Sequence, residues 1–404
     1  MNPVWRRATL GELEIENAGV IQTGPFGSQL HASDYSPGGT PVIMPTNIRD
    51  LRIDPTDIAR VSQEHVERLS RHVLREGDVV YSRRGDVEKC ALITDREAGW
   101  LCGTGCLLVR VQGTSVDPRF LSYALSLLET RAWISGHAVG ATMPNLNTEI
   151  LREVPVVLPE IEEQRGIAAT LGALDDKIAS DRRLVDFSSD LLDAIAAQVS
   201  SDLPPLPLGG LVEQPRDSVN PARLGDAIVE HFSLPAFDAG AIPERVQAST
   251  ILSSKLLLVR RSILVGRLNP RFNRTWWVTP DAALPALASP EFLCLQAVDD
   301  ESLAALWLAV RTDAFRAELA HRVTGTSGSH QRVRPEDAVA IEVPDVGRLP
   351  RETKARALAL LKAMEQKRQE SERLAALRDA LLPELLSGRI RVPDAAEAVA
   401  DGTT

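Results

Sequence analysis

Basic and amide side chains are concentrated between residues 260 and 277, and they are the residues best suited to chemistry in this sequence. Five arginines, two asparagines and three aromatic residues fall within these eighteen positions. Arginine matches the hydrogen-bonding edge of guanine, asparagine matches that of adenine, and neighbouring arginines can hold phosphates. The alternative is a solvated basic loop beside a strand with core tryptophans. We favour a nucleic-acid contact made by these side chains: Arg260, Arg261, Arg267, Asn269, Arg271, Asn273 and Arg274.

A smaller basic patch and two glycine-containing loops have matching chemistry. The patch consists of Arg83, Arg84 and Lys89. The loops at 140–147 and 325–332 carry short hydrogen-bond donors, and glycine lets a backbone approach a phosphate closely. An ordinary turn that caps the following element is the alternative. The contacts predicted in the two loops are Thr142, Asn145, Asn147, Thr326, Ser327, Ser329, His330, Gln331 and Arg332.

The two loops belong to an internal repeat with an offset of roughly 185 residues. Each loop is followed by a short polar segment and an alternating apolar strand that ends in proline. The same offset relates two predicted strands, 77–83 and 261–267, which both end in arginine. A helix-period run lies upstream of each loop, at 120–134 and 303–319. The chain therefore contains two similar globular lobes.

A long helical pattern follows each lobe. Apolar residues recur near heptad spacing at Leu171, Leu174, Ile178, Val185, Leu192, Ile195 and Val199, and again at Leu358, Leu361, Leu374, Leu377, Leu381 and Leu385. Each pattern runs for about forty residues, which is about 60 Å of helix. Asp181 at one core position and Arg368 near another do not suit an isolated dimer zipper. We therefore predict that the two helices pair with each other, antiparallel, within one chain.

These patterns divide the chain into five segments. The predicted boundaries are 1–158 for the first lobe, 159–201 for the first helix, 202–348 for the second lobe, 349–388 for the second helix and 389–404 for a tail.

Composition limits the possible partners and compartments. The formal net charge of −10 argues against nucleic acid without excluding it, because carboxylates are concentrated between residues 160 and 202. That acidic face suits a protein surface better than DNA. No apolar stretch is long enough to span a membrane, no leader pattern opens the chain, and four cysteines do not form a disulfide framework. We expect a cytoplasmic protein with no membrane partner.

Signals for catalysis are incomplete. Residues 269–272 are similar to the Asn-Pro-Pro-aromatic loop of amino-methyltransferases, but arginine replaces the second proline and no glycine-rich cofactor loop precedes them. The acids at 86–88 lack the separated partners that a two-metal nuclease needs. Cys102 and Cys106 lack a second ligand pair at zinc spacing, and there is no P-loop. We expect no catalytic residue, metal or cofactor, although a cryptic methyltransferase or nuclease remains an alternative, as does an adaptor with two peptide-reading lobes.

Five motifs resemble the specificity subunits of Type I restriction–modification systems. They are the loop 24–30, the strand and turn 42–48, the strand 77–80, the Pro-x-x-x-Glu-Gln-x-x-Ile run that opens the helix within 158–178, and the helix ending 381–390. The resemblance implies an α/β (α+β) protein in which two target-recognition domains are joined by two long antiparallel coiled-coil helices.

The resemblance also implies a function in phage defence and DNA methylation. Such a subunit recognises a bipartite double-stranded DNA target, and it recruits two adenine-methylating modification subunits and a motor-nuclease restriction subunit. A recognition subunit of another phage-defence or methylation system is the alternative. Further DNA contacts are then expected at Gly24, Ser28, Gln29, Asn47 and Arg49, although a purely structural turn remains open for the loop 24–29. The expected partner-binding residues are Glu163, Gln164, Ile167, Leu171, Leu174 and Ile178.

Overall fold

A computed structural model describes residues 5–49, 51–111, 113–140, 144–213, 217–323 and 331–393. The chain forms two compact units, the first made of Met1–Ala179 with Ser371–Thr404 and the second of Ser180–Glu370. Each of the two long helices contributes one part to each unit.

The first unit is a mixture of short strands and helices. Its strands are β1 (Arg6–Thr9), β2 (Val20–Thr23), β3 (Tyr35–Ser36), β4 (Thr40–Ile43), β5 (Ile48–Arg49), β6 (Arg52–Ile53), β7 (Ala59–Val61), β8 (Val79–Ser82), β9 (Cys90–Leu92), β10 (Leu101–Cys102), β11 (Cys106–Arg110) and β12 (Pro155–Leu158). Its helices are α1 (Leu10–Glu16), α2 (Gln63–Arg68), α3 (Pro118–Ser126), α4 (Leu128–His137), α5 (Thr148–Arg152) and the first part of α6 (Ile161–Asp202).

Two four-stranded sheets form the centre of the first unit, with strand orders β2-β11-β8-β9 and β10-β4-β7-β3. Strand β8 is buried at all four positions, as expected for a short apolar run in the middle of a sheet. Strand β1 pairs antiparallel with β12, so that Arg6 lies opposite Leu158. The first and last strands of this lobe are thus joined just before α6 begins.

The second unit repeats this plan with different details. Its strands are β13 (Pro205–Pro207), β14 (Ser218–Val219), β15 (Ile228–Phe232), β16 (Glu244–Gln247), β17 (Lys255–Leu258), β18 (Ser262–Gly266), β19 (Thr275–Val278), β20 (Ala286–Ala288), β21 (Phe292–Leu295) and β22 (Glu342–Pro344). Its helices are α7 (Leu234–Asp238), α8 (Asp300–Val310), α9 (Asp313–His321), α10 (Pro335–Val339) and part of α11 (Arg351–Leu386).

The equivalent pairings show that the sequence repeat is also a structural repeat. Strand β13 pairs with the closing strand β22, as β1 does with β12. The fully buried β18 is the middle strand of the sheet β19-β18-β21. A second sheet of this unit has five strands in the order β14-β17-β20-β15-β16. The predicted strands 77–83 and 261–267 are therefore confirmed.

Each predicted helical run upstream of a loop is two helices rather than one. Leu127, with extended backbone angles, separates α3 from α4. In the second unit the first helix ends at Val310, and Thr312 begins the next because its hydroxyl accepts a hydrogen bond from the amide of Phe315. Side-chain capping of this kind competes with helix continuation and is not visible in apolar periodicity.

The two long helices pack against each other, as predicted. In the first unit Asp175 of α6 lies against Arg378 of α11, while Gly166 lies against Val392, which follows the end of α11. The opposite chain order of these contacts makes the pair antiparallel. In the second unit Leu192 of α6 shares a core with Leu361 of α11. The predicted fold class is confirmed: the protein mixes helices and sheets, and a long paired helix follows each lobe.

Within the described residues, no helix has the length and apolar character needed to cross a membrane. The four cysteines are buried as free thiols, and burial raises the pKa of Cys90 and Cys102 to about 12. Across the same residues no group of three or more histidine, cysteine or acidic side chains is placed to hold a metal ion.

Candidate nucleic-acid interface

The arginine that follows the central strand meets the glycine-containing loop in both units. In the first unit the carbonyl of Arg83 accepts a hydrogen bond of 2.8 Å from the amide of Leu146. In the second unit the carbonyl of Arg267 accepts one of 3.1 Å from the amide of Val333. Leu146 and Val333 are fully buried, so each junction is anchored in the core. We call these two places the strand–loop junctions.

The first junction also receives the loop 24–30. The Cζ atom of Arg83 lies 5.8 Å from the centroid of the Phe26 ring, and Phe26 is 51% exposed. A Cβ atom on Gly24 would lie 2.1 Å from the carbonyl oxygen of Gly103. This close backbone approach requires glycine and fixes the path of the loop. Gly24 is therefore a structural residue of the junction rather than an exposed contact.

Two polar atoms at the first junction lack a hydrogen-bond partner among the described residues. They are Nε of Arg83 and Oδ1 of Asn145, and both are buried. A buried polar atom without a partner costs free energy.

Three of the predicted side chains in the first unit are exposed near this junction: Ser28, Arg84 and Lys89. Lys89 is paired with Asp86 at 2.9 Å, and both side chains are about half exposed. Such an exposed ion pair contributes little to stability. Gln29 is half-buried, and its side-chain oxygen accepts a hydrogen bond from the amide of Phe26.

The structure corrects the expectation for two asparagines. Asn47 is only 4% exposed, and its amide bonds the carbonyl of Asp54 and the amide of Met44, which closes a turn. Asn147 caps α5 by accepting a hydrogen bond of 2.8 Å from the amide of Ile150. Both amides are used within the fold. Arg49 is exposed and lies 3.3 Å from Asp54.

The second unit divides the arginine-rich segment into two groups. Arg260 and Arg261 precede β18, whereas Arg267 follows it, so the length of this five-residue strand, about 17 Å, lies between them. Arg260 bonds Gln296 and forms an ion pair with Glu213. This correction removes Arg260 from the junction.

Arg261 has a similar structural role at the same end of β18. Its guanidinium bonds the hydroxyl of Thr279 at 2.8 Å, forms an ion pair with Asp300 and lies 5.7 Å from the ring of Trp277. The single patch expected from sequence is therefore smaller, because both arginines before the strand have partners of their own.

Three guanidiniums remain at the second junction in fixed positions. Arg267 is half-buried and donates to the carbonyls of Val333 and Pro290, and burial lowers its pKa. Arg274 forms a two-pronged ion pair with Asp238 at 2.7 and 2.8 Å.

Arg332 forms a similar two-pronged pair with Glu291, at 2.9 and 2.8 Å. These carboxylates hold the arginines in place and also reduce the positive charge available to a ligand.

The tip of the second junction is formed by the turn 269–273. Asn269 and Asn273 both adopt left-handed backbone angles, with φ of 48° and 46°. The backbone amide of Asn269 donates to the carbonyl of Gln331. The side-chain oxygen of Asn273, oriented toward Arg316, accepts a hydrogen bond from that guanidinium. The two predicted asparagines and Gln331 thus shape the turn.

Arg271 differs from its neighbours because it is exposed and has no ion pair among the described residues. Its Cζ atom lies 4.8 Å from the centroid of the Phe272 ring, and that of Arg274 lies 5.0 Å from it. Phe272 is 54% exposed. Phe272 lies within the segment that was expected to contact nucleic acid, but no contact was predicted for the ring itself.

Comparison with known families shows which domain family the first lobe resembles. Residues 19–185 match the family described as the Type I restriction modification DNA specificity domain. The first lobe is similar to that specificity domain. The predicted resemblance to Type I specificity subunits is thereby confirmed.

Two relatives from Methanocaldococcus jannaschii match part of the chain. The MjaX type I restriction enzyme specificity subunit is 26% identical over 154 residues, which cover 37% of this chain and 36% of that protein. The MjaVIII type I restriction enzyme specificity subunit is 21% identical over 167 residues, covering 40% and 39%. The matched segment thus spans less than two-fifths of each relative's length.

A solved structure extends the likeness in fold to nearly the whole chain. The crystal structure of the S subunit of a Type-I restriction-modification system from M. genitalium superimposes with a TM-score of 0.61 and 16% identity. The likeness covers 94% of this chain and 96% of that one. The second unit, most of which lies outside the residues matched to the specificity domain, therefore shares the fold.

The partner-binding residues expected on α6 are mostly buried. Ile167, Leu171, Leu174 and Ile178 are at most 1% exposed and belong to the core of the first unit. Their heptad positions face α11 and the lobe, so they are not available to another protein. The expectation is corrected for these four side chains.

Gln164 is also buried, and it connects α6 to the first lobe. Its side chain accepts a hydrogen bond from the amide of Asp117 and donates to the carbonyls of Ser115 and Pro159. The Glu-Gln motif at the start of the helix therefore secures the helix to the domain. Glu163 is half-buried.

An exposed apolar stripe on α6 was not predicted. Leu184, Phe187 and Leu191 are 49%, 70% and 36% exposed and lie on one helical face at spacings of three and four. The sequence signal that could have predicted this stripe is a second series of apolar residues next to the heptad positions.

Five of the predicted contacts lie outside the described residues: Thr142, Thr326, Ser327, Ser329 and His330.

Proposed function

We propose that the chain is a sequence-specific DNA-binding specificity subunit of a Type I restriction–modification system. Each unit reads one half of a bipartite duplex target through its strand–loop junction. The observation that carries the proposal is the recurrence of this junction in both units, combined with the family match of the first lobe. A chain that presents the same kind of site twice suits a target with two separated halves.

The chemistry of the junctions supports duplex DNA as the ligand. Arg84 and Lys89 in the first unit and Arg271 in the second are exposed cations beside short polar side chains. The phosphate backbone supplies most of the affinity of such sites, and side chains that reach base edges supply specificity. The net charge of −10 resides elsewhere, notably on α6.

The outward face of α6 supports recruitment of adenine methyltransferase subunits. The stripe of Leu184, Phe187 and Leu191 is flanked by the exposed acids Asp186 and Asp190. An apolar stripe with a polar rim is typical of a protein interface. Two methyltransferase subunits and a restriction subunit complete the proposed complex, and catalysis belongs to those partners.

The test is methylome sequencing of cells that express this chain with the methyltransferase encoded beside it. We expect a bipartite adenine-methylated motif that disappears when the gene for this chain is deleted. Methylation that is unchanged by the deletion would contradict the proposal. The same result would direct attention to another phage-defence or methylation system that uses this fold.

The acidic net charge favours one second candidate, an adaptor whose two lobes bind peptides. Salt separates the two functions. Phosphate-based binding weakens steeply between 50 and 200 mM salt, by about 10³-fold or more for six or more contacts, whereas an apolar peptide interface hardly responds.

A further inference from the structure

Two exposed phenylalanines, one in each unit, stand at the strand–loop junctions. The chain has eight phenylalanines, and among the described residues only Phe26, Phe187 and Phe272 are more than a third exposed. Phe187 belongs to the stripe on α6. The other two lie where we propose that DNA binds.

Each of these rings is accompanied by guanidinium groups. Arg83 lies over Phe26, while Arg271 and Arg274 lie over Phe272. A cation over an aromatic face is mutually favourable, and it shields an apolar ring that water would otherwise surround. Arg271 is also free to leave the ring for a phosphate, since it has no ion pair among the described residues.

The backbone presents Phe272 rigidly. The flanking turn contains two left-handed asparagines, the amide of Phe272 donates to the carbonyl of Asn269, and the amide of Asn273 donates to the carbonyl of Pro270. Pro270 is buried. An ordered turn that holds an apolar side chain outward, instead of folding it inward, indicates a ring with a ligand to contact.

Phe26 is held in a comparable way. Its amide is bonded by the side chain of Gln29, and its carbonyl accepts from the amides of Gln29 and Leu30. Leu30 is buried, and the close approach of Gly24 to Gly103 fixes the other end of the loop. Gly27, next to the ring, has open space around it.

We propose that Phe272 and Phe26 are base-contacting wedges, each of which enters a base step of its half-site and partly unstacks it. Apolar side chains inserted in this manner are a known means of deforming duplex DNA, and the neighbouring arginines then hold the phosphates on either side. The inference rests on the proposed DNA-binding function and adds to it a residue in each unit that determines where the duplex is distorted.

The experiment uses the full chain and duplexes that carry its target, obtained by selection from random sequence, with 2-aminopurine substituted at single positions. Fluorescence of 2-aminopurine rises when stacking is lost. We expect a rise at one step in each half-site on binding. Phe272→Ala should abolish the rise in one half, leave it in the other and weaken binding by about tenfold or more. Phe26→Ala should have the converse effect.

Matched controls use exposed apolar side chains outside the loop 24–30 and the turn 269–273. Leu252→Ala in the second unit, where Leu252 is 98% exposed, and Ile15→Ala in the first, where Ile15 is 82% exposed, should change neither signal. Phe272→Trp should keep the rise, because a larger ring still enters the step. This variant guards against loss of the turn as an explanation.

The salt dependence of binding distinguishes a ring that enters a base step from a ring that only positions the neighbouring arginines. Phe272→Ala should leave the slope of log K against log salt unchanged, whereas Arg271→Ala should reduce it by about 1. Tight binding by the wild type with no fluorescence change at any position would overturn the wedge and leave DNA recognition intact. Absence of DNA binding by the wild type would instead overturn the proposed function.

Discussion

Arg378 of α11 donates a hydrogen bond of 2.7 Å to Asp175 of α6. The other oxygen of the same carboxylate accepts a hydrogen bond from the hydroxyl of Tyr123, which lies on α3. Asp175 and Arg378 are 18% and 16% exposed. One half-buried carboxylate therefore connects the lobe to both long helices in the first unit.

Replacing that carboxylate should destabilise the first unit. Asp175→Ala leaves both Arg378 and the Tyr123 hydroxyl without this acceptor, and we expect the free energy of unfolding to fall by about 2–3 kcal/mol. The neighbouring Asp176→Ala is the control, since Asp176 is 70% exposed and its pair with Arg119 should contribute less than about 1 kcal/mol. Calorimetric unfolding of the full chain measures both. Equal losses would show that Asp175 does not hold the unit together.

Substitution of Arg271 should affect DNA binding, whereas substitution of Arg267 should affect stability. Arg271→Ala removes an exposed cation, so the free energy of unfolding should change by less than about 0.5 kcal/mol, while affinity for one half-site falls and the other half-site is read as before. Fluorescence anisotropy with duplexes altered in either half measures this selectivity. An equal loss at both halves would contradict the assignment of one half-site to each unit.

Arg267→Ala should instead lower stability, by about 1.5–3 kcal/mol, because the carbonyls of Val333 and Pro290 lose a charged donor. Thermal unfolding checks this. A stability equal to that of the wild type would mean that the half-buried guanidinium does not secure the junction.

His72 should make stability depend on pH. The side chain is fully buried, and burial, with the nearby charge of Arg71, lowers the pKa of His72 to about 4 from an ordinary value of 6.5. The unfolded chain therefore takes up a proton at a higher pH than the folded chain does. The contribution is fully present above about pH 6.5 and is lost as pH falls toward 4.

We expect His72→Gln to flatten the pH dependence of unfolding between pH 6.5 and 4, as measured by denaturant titration at several pH values. His31→Gln, which alters an exposed histidine of the same unit, is the control and should keep the wild-type slope. A His72→Gln profile parallel to that of the wild type would assign the dependence to other groups.

The exposed stripe on α6 should be needed for the methyltransferase complex. Phe187→Ser removes the most exposed apolar side chain of the stripe. We expect the co-expressed methyltransferase subunit then to elute separately in size-exclusion chromatography. Leu252→Ser, which alters another highly exposed apolar residue of the second unit, should leave the complex intact. Co-elution that persists with Phe187→Ser would place the interface elsewhere.

Sequence pattern was sufficient for the elements whose formation depends on neighbouring residues. The apolar run of β8, the alternation of β12 and the heptad spacing of α6 each indicate a buried face, since side-chain direction repeats at a fixed interval in a strand or a helix. The internal repeat then indicated two similar lobes, and the structure confirms the equivalent strands β8 and β18.

The roles of individual polar residues depended on partners distant in the sequence. Arg260 pairs with Glu213, 47 residues away, and Arg152 pairs with Glu14 across 138 residues. Composition shows that such side chains are basic, but not which of them an ion pair already occupies. Of the five arginines in the apparent patch, only Arg271 is exposed and without an ion pair among the described residues.

The sequence by itself determined the repeat, the strands and the paired helices of this protein, because each rests on a local periodicity of apolar residues. Only the tertiary structure decided that Asn47 and Gln164 are buried in hydrogen bonds while Arg271 and Phe272 face solvent. Exposure is set by the packing of segments that are far apart in the chain, and a side chain of the same type can serve the core or a ligand according to what that packing leaves around it.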